Sequence, residues 1–345
     1  MKRRILELDG LRAIAALAVF LIHSGGFGLR AFGETGNAFV DHGKYGVTLF
    51  FVVSAFCLCL SLPQAFEGTP VDWRAFFIRR YFRIMPLFYA VCAVTAVIKM
   101  HGGMPAQHIA EVLVREVTLI SIFDPTTRNA LIGVEWSIFV EFLFYFMFPF
   151  VLAWLITAPW SMVAVTAILM WPPVCEAITT FLGIQQPNFT IFWHFHSFLT
   201  GMLVYRLLIT DEKQRPTIGS ALFLVAIGLS IAAVSKHENG FSVSAVSLAA
   251  ACTIAAAHYG SPLVIWLRWK PLTLAGQISF SIYLLHPLVM GAVGEFGFLT
   301  PIQAAIALGL TLAAAYCSYR LVEMPAQNFA KRLISRWPER PVIVD

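Results

Sequence analysis

A histidine, a glutamate and three arginines sit in this chain among residues that are almost wholly apolar, and each is expensive there. His23 closes the stretch LDGLRAIAALAVFLIH, near whose start stand Asp9 and Arg12. On a helix the step from Arg12 to His23 turns about 1100°, three turns plus roughly 20°, so both side chains share one face about 16 Å apart along the axis. A cation at a membrane edge and a histidine deep in the same stripe are costly in lipid, so that face should look onto protein or water. An imidazole placed there can accept a proton near neutral pH, which makes His23 a candidate general base.

Glu141 lies in EWSIFVEFLFYFMFP. Trp136 with Glu135 marks an interface position, where tryptophan is favoured. Glu141 is about 7 Å deeper, with Ser137 one turn back on its face. Acids inside membrane segments lean toward function, and a carboxylate at the depth of His23 could orient the imidazole or handle its proton. Arg80 and Arg83, in RRYFR, share a helix face. They read either as a positive-inside anchor or as a docking site for an anionic ligand, since guanidinium forks suit phosphate. In GQISFSIYLLHP, Ser279, Tyr283 and His286 form one polar stripe at i, i+4 and i+7. His286 is balanced there between a hydrogen-bonded structural residue and a site residue. His194 and His196, two apart, point to different faces, so no metal pair is expected, and no metal. Ser54, in FFVVSAF, has no nucleophile-elbow glycines and reads as a helix-packing serine.

The elements that must hold these groups follow from composition. The chain has 345 residues, 59% hydrophobic and 12% charged, with mean hydropathy +0.76. A soluble domain of this size could not hide so much apolar surface. The fold class is all-α: a polytopic transmembrane helical bundle forming one domain over 1–345, with a short basic tail at 323–345. About ten spans are expected, near 8–24, 46–62, 84–100, 137–157, 161–181, 191–208, 218–234, 242–258, 276–294 and 301–321. With the N-terminus inside, eighteen of the 24 Lys and Arg fall on the cytoplasmic side and six outside, which places both termini in the cytoplasm. The net charge of +5 is clustered between apolar runs. It sets orientation and does not track nucleic acid. The six cysteines lie within apolar segments and read as packing residues. The N-terminal stretch is not expected to be a cleaved signal, because Asp9 and Arg12 crowd its start and no small-x-small site comes after His23.

The stretches LDGLRAIAALAVFLIH, YGVTLFFVVSAF, RRYFRIMPLFY, VEWSIFVEFLFY, ISFSIYLLHP and YRLVEMP, in that order, resemble the acyltransferase-3 family of membrane O-acyltransferases. The resemblance implies a ten-helix fold in a bacterial cytoplasmic (inner) membrane. It implies transfer of an acyl group, usually acetyl from acetyl-CoA, to a hydroxyl of an extracytoplasmic acceptor such as a cell-envelope polysaccharide or glycolipid. The family's arginine–histidine motif falls on Arg12 and His23, its paired arginines on Arg80 and Arg83, and its tryptophan–serine–glutamate motif on Trp136, Ser137 and Glu141. Its glutamate-x-proline pattern falls on Glu323 and Pro325. Thr48 stands where an acid is frequent, Ala55 where a glycine usually comes after the serine, and Ile138 and Phe139 where leucine and serine are more common. The family's frequent extra esterase-like domain is absent here, which the resemblance reads as a stand-alone enzyme or one with a separate extracytoplasmic partner.

On this reading acyl-CoA docks at Arg80 and Arg83, helped by Arg12, and His23 acts as base with Glu141 behind it. Asp9, Trp136, Ser137, Tyr283 and His286 support the site. The rival class is a multi-pass transporter using the buried His, Glu and Arg residues as a proton or substrate relay. The lack of an evident half-to-half repeat counts against it.

Overall fold

The computed structural model describes residues 5–124, 127, 129–169, 171–183, 187–209, 211, 213–234, 240–294 and 296–337. Among these residues there are helices and no strand, the economical answer for backbone that must satisfy its own hydrogen bonds inside lipid. The chain begins with α1 (Leu6–His23), α2 (Gly33–Asp41), α3 (Gly46–Ser61), the short α4 (Pro63–Phe66), α5 (Trp73–His101) and α6 (Ala106–Val117). It continues through α7 (Trp136–Thr157), α8 (Trp160–Leu169), α9 (Pro172–Phe181), α10 (Ile191–Leu208), α11 (Pro216–Val234) and α12 (Gly240–His258). The last part holds α13 (Lys270–Gln277), α14 (Ser279–Val293), α15 (Pro301–Ser318) and α16 (Met324–Ser335), with a π-helical stretch, Tyr319–Glu323, between the last two.

By length and composition, six segments among the described residues can cross a membrane, or seven if the bent pair α13–α14, which turns by 76°, is one span. The sequence pattern suggested about ten, and the difference has identifiable sources. Helices α1 and α10 are 18 residues each, long enough to span. However, Glu7, Asp9 and Arg12 in one, and His194, His196 and Arg206 in the other, lower their apolar character. The expected span at 161–181 is two helices of ten residues, α8 and α9, the second opening on Pro172 and Pro173. A proline at N1 starts a helix, having no N–H to bond back to a preceding turn. The third expected span begins earlier than its apolar run, because Asp72 accepts a hydrogen bond from the Ala75 N–H at 3.1 Å and caps α5 there. The arginines of RRYFR therefore stand inside a helix and not in a loop. Of the basic residues that bear on orientation, Lys2, Arg3, Arg4, Arg128, Lys236 and Arg340 lie outside the described residues, as does the tail beyond Trp337.

Helix α1 is the central post. A Cβ on Gly46 would lie 2.4 Å from the Ala15 carbonyl oxygen, and one on Gly276 would lie 1.8 Å from that of Asp9. Glycine at both places lets α3 and α13 press against the α1 backbone, the small-residue packing that substitutes for hydrophobic drive within membranes. Aromatic stacking locks α3, α7 and α10 together, with Phe144 and Phe198 centroids 3.9 Å apart and Phe51 4.5 Å from Phe198. At the periphery, α11 and α15 expose Leu224, Val225, Ile231, Ile302, Ile306 and Leu310, an apolar belt of the kind that lipid covers.

Candidate active site

Helices α1, α3, α5, α7 and α14 line a half-open cavity. Its polar lining is Arg12, Ser54, Arg83, Ser137, Glu141, Ser279 and Tyr283, set among Val47, Phe50, Phe51, Ile84, Ile138 and Phe280. The spacing of α1 brings Arg12 to this wall, with Asp9 one turn below it at 4.0 Å. Glu141 projects from α7, where one carboxylate oxygen, Oε1, accepts from Ser54 Oγ at 2.6 Å and from the Tyr145 hydroxyl at 2.6 Å. Tyr145 is the next turn of the same helix and Ser54 comes from α3, so two elements fix one carboxylate.

The two arginines of α5 part company. Arg83 lines the cavity. Arg80 lies behind it, donating from Nη2 to Ser61 Oγ at 3.2 Å, with its guanidinium over the rings of Phe76 at 5.6 Å and Tyr145 at 5.9 Å. Glu323 is buried in the π-helical stretch and accepts from Ser281 Oγ of α14. A π-turn widens the helix by one residue and re-aims the residues beyond it, and such turns recur at functional sites.

A second polar cluster lies at the far end of α1. His23 Nδ1 is 2.8 Å from His286 Nε2, and the rings meet edge to edge and nearly coplanar, with centroids 5.0 Å apart and planes 10° off parallel. His286 is 1% exposed, while His23 is half-buried. The Gly297 N–H donates to the His23 carbonyl at 2.9 Å, and the Phe296 ring stands 5.0 Å from the imidazole.

Tyr283 joins the two clusters. It lines the cavity, and its ring centroid is 5.9 Å from that of His286. Its hydroxyl donates to the Val134 carbonyl at 2.9 Å and lies 2.6 Å from Ser137 Oγ. Val134 is held in turn by Glu135, whose Oε1 accepts from the N–H groups of Leu131 at 2.8 Å and Ile132 at 3.0 Å, and whose Oε2 accepts from that of Gly133. Burial pushes the Glu135 carboxyl above its ordinary range, against the pull of these backbone donors. This acid just before α7 therefore shapes the turn that aims Ser137 and Tyr283.

Of the residues singled out from the sequence, the cavity gathers Arg12, Arg83, Ser137, Glu141 and Tyr283, and Asp9 lies next to Arg12. Trp136 is not on the cavity wall. It stacks on His194 at 5.3 Å and 30°, with Phe189 edge-on at 4.9 Å. The hydrogen-bonding partner of His23 is His286, whereas Glu141 was expected to orient it, and Glu141 Oε1 is instead held by Ser54 and Tyr145. Ser54 is the residue that sequence reasoning missed. A serine inside a helix can satisfy itself on the carbonyl one turn back, so nothing in FFVVSAF announced a carboxylate partner. Among the described residues, no three His, Cys, Asp or Glu side chains converge as a metal site requires.

Comparison with known proteins yields a consistent set. The family model for the acyltransferase domain (Acyl_transf_3) matches residues 5–320. The chain is 26% identical to the acyltransferase MdmB of Streptomyces mycarofaciens over 376 residues, covering 98% of this chain and 94% of that one. It is 26% identical to nodulation protein 10 of Rhizobium leguminosarum bv. viciae over 330 residues, covering 84% of each. It is 24% identical to a Staphylococcus aureus strain COL protein named for O-acetyl transfer, covering 94% of this chain but only 57% of that longer protein. No solved structure matches the chain.

Proposed function

The chain belongs to the acyltransferase-3 family of membrane acyltransferases, and on that premise we propose that it moves an acyl group, acetyl being the simplest case, from cytoplasmic acyl-CoA to a hydroxyl of an extracytoplasmic acceptor such as a cell-envelope polysaccharide or glycolipid. The observation that carries this reading is the line of polar groups from the cavity's Arg12 and Arg83, through Tyr283, to the His23–His286 pair. It links a cationic binding chamber to an imidazole at the opposite end of α1. The bacterial relatives and the apolar outer belt support a cytoplasmic (inner) membrane location, and the excess of basic residues supports both termini inside.

Arg83 and Arg12 bind the donor's phosphates, guanidinium forks being suited to them. Arg80, stacked behind Tyr145, adds positive potential. The acyl-thioester arm extends along the Arg12–His23 face of α1. As the acceptor oxygen attacks the thioester carbonyl, the His23 imidazole takes the hydroxyl proton. When the tetrahedral intermediate collapses the C–S bond breaks, the ester forms, and the proton returns to the leaving CoA sulfur. Glu141 balances the arginine charge and holds Ser54 on the cavity wall, with Tyr145 bonded to the same carboxylate oxygen. General-base catalysis of this kind contributes roughly 10²–10⁴-fold.

The test is transfer of label from acetyl-labelled acetyl-CoA into envelope glycans and lipids by membranes containing the protein. Wild type should form alkali-labile ester label, and a His23→Ala variant of normal expression should form about a hundredfold less or below. Full transfer by His23→Ala would remove the base assignment. Movement of an unmodified solute across vesicles by the purified protein, with no ester formed, would overturn the reading in favour of transport.

A further inference from the structure

His286 exchanges no proton in the transfer proposed for His23, yet its position against that ring is closely defined. It is 1% exposed, and its Nδ1 lies 3.3 Å from the Ile282 carbonyl oxygen. Pro287 comes next in the chain and has no N–H to offer the Tyr283 carbonyl. A carbonyl oxygen only accepts. An imidazole nitrogen facing it must therefore carry hydrogen, because a bare nitrogen would set two lone pairs against each other. A neutral imidazole with hydrogen on Nδ1 has a bare Nε2, and His286 Nε2 lies 2.8 Å from His23 Nδ1. By the same rule His23 Nδ1 carries the hydrogen of that bond.

We infer that the Ile282 carbonyl, His286 and His23 form a relay that fixes the His23 tautomer, making Nε2 of His23 the basic nitrogen and His286 a positioning residue for it. The inference rests on the proposed base role of His23. The alternatives are unfavourable on the geometry alone. Hydrogen on His286 Nε2 would leave its Nδ1 lone pair facing the carbonyl. Protons on both rings would hold two like charges with centroids 5.0 Å apart, largely out of water. During transfer, Nε2 of His23 gains the acceptor's proton, and the resulting cation keeps its Nδ1–H bonded to His286 Nε2. His286 itself neither gains nor loses a proton.

The experiment is ¹⁵N magnetic resonance of histidine-labelled protein in lipid bilayers, with the His23 signals assigned by their loss in His23→Ala. The wild type should show His23 with hydrogen on Nδ1 and a bare Nε2. Hydrogen on His23 Nε2 in the wild type would overturn the relay whatever the enzymatic result, and the reading is available even if every His286 variant folds poorly. His286→Ala should mix the His23 tautomers and lower kcat about ten- to a hundredfold, part of the general-base contribution, without changing KM for acetyl-CoA. His286→Gln returns an amide oxygen to accept the His23 hydrogen and should recover the tautomer and most of the rate. A His286→Ala protein that keeps both tautomer and kcat would overturn the relay. Transfer that survives His23→Ala would instead overturn the base role, a separate outcome.

Discussion

Around the cavity the ionic groups come from three helices, Arg12 on α1, Arg83 on α5 and Glu141 on α7, with Ser54 of α3 bonded to the last. At the far end of α1 the polar groups are two imidazoles joined edge to edge, with the Ile282 carbonyl facing the second ring. The first arrangement suits an anion that arrives and leaves with its charge. The second suits a proton that moves between nitrogen and oxygen, where fixed charges nearby would bias the transfer. A single helix carries one member of each, and Tyr283 is the side chain that touches both. If the proposed roles hold, the difference teaches that binding and proton transfer need not share a wall, provided a rigid post spans the distance. The glycine contacts at Gly46 and Gly276 are what make α1 such a post.

The sharpest way to break this division is at Arg83. Removing one partner of a close charge contact with a ligand costs about 2–5 kcal/mol, so Arg83→Ala should raise KM for acetyl-CoA at least thirtyfold, while kcat changes much less. Added salt should raise the wild-type KM and leave that of Arg83→Ala less affected. Steady-state kinetics on purified protein in bilayers checks both values. A fall in kcat at constant KM would mean that the cavity takes part in the chemical step, and the two regions would not be divided as described.

Stability offers a second, smaller contrast. Glu141→Ala leaves the hydroxyls of Ser54 and of the buried Tyr145 without their common acceptor, at a cost of about 1–3 kcal/mol. His23→Ala leaves one buried group without its partner, the Nε2 of His286, against two hydroxyls for Glu141→Ala, a smaller loss by the same reckoning. Thermal unfolding in detergent should therefore rank Glu141→Ala below His23→Ala, although both lose transfer. The reverse order would show that the histidine pair, and not the carboxylate, clamps the helices.

The helical face linking Arg12 to His23 was legible because two costly residues at a helical spacing in one apolar run admit few arrangements. Glu141 was legible for the same reason, as an acid with no place in lipid. What joins them was not. The bond from Ser54 depends on how α3 and α7 rotate about their axes, and the His23–His286 pair depends on where α14 turns after its bend with α13. Neither rotation leaves a mark in local composition. Arg80 and Arg83 share a helix face, yet their positions on α5 differ enough that one reaches the cavity and the other lies against Phe76 and Tyr145. The bounds of the spans had the opposite problem. Apolar length alone cannot tell that Pro172 and Pro173 restart a helix, or that α1 needs three charged residues where an ordinary span would have none.

A carboxyl with no part in either region sets the baseline for what burial alone does. Glu116, on α6 and outside the spanning helices, is fully buried. Loss of water, aided by the nearby Glu135 charge, pushes its pKa up from an ordinary 4.5 to about 8. Between those values the folded protein holds a proton that the unfolded chain has released. The stability this group contributes is therefore full below the lower value and is lost as pH rises through the window. Glu116→Gln carries no charge at any pH, so its melting temperature should match the wild type near pH 4.5 and exceed it at pH 8, with the wild-type slope between them flattened. A variant whose slope matches the wild type's would mean that Glu116 is already ionised across the window, with water or a cation reaching it beneath α6, and burial would no longer serve as the baseline for the acids of the site.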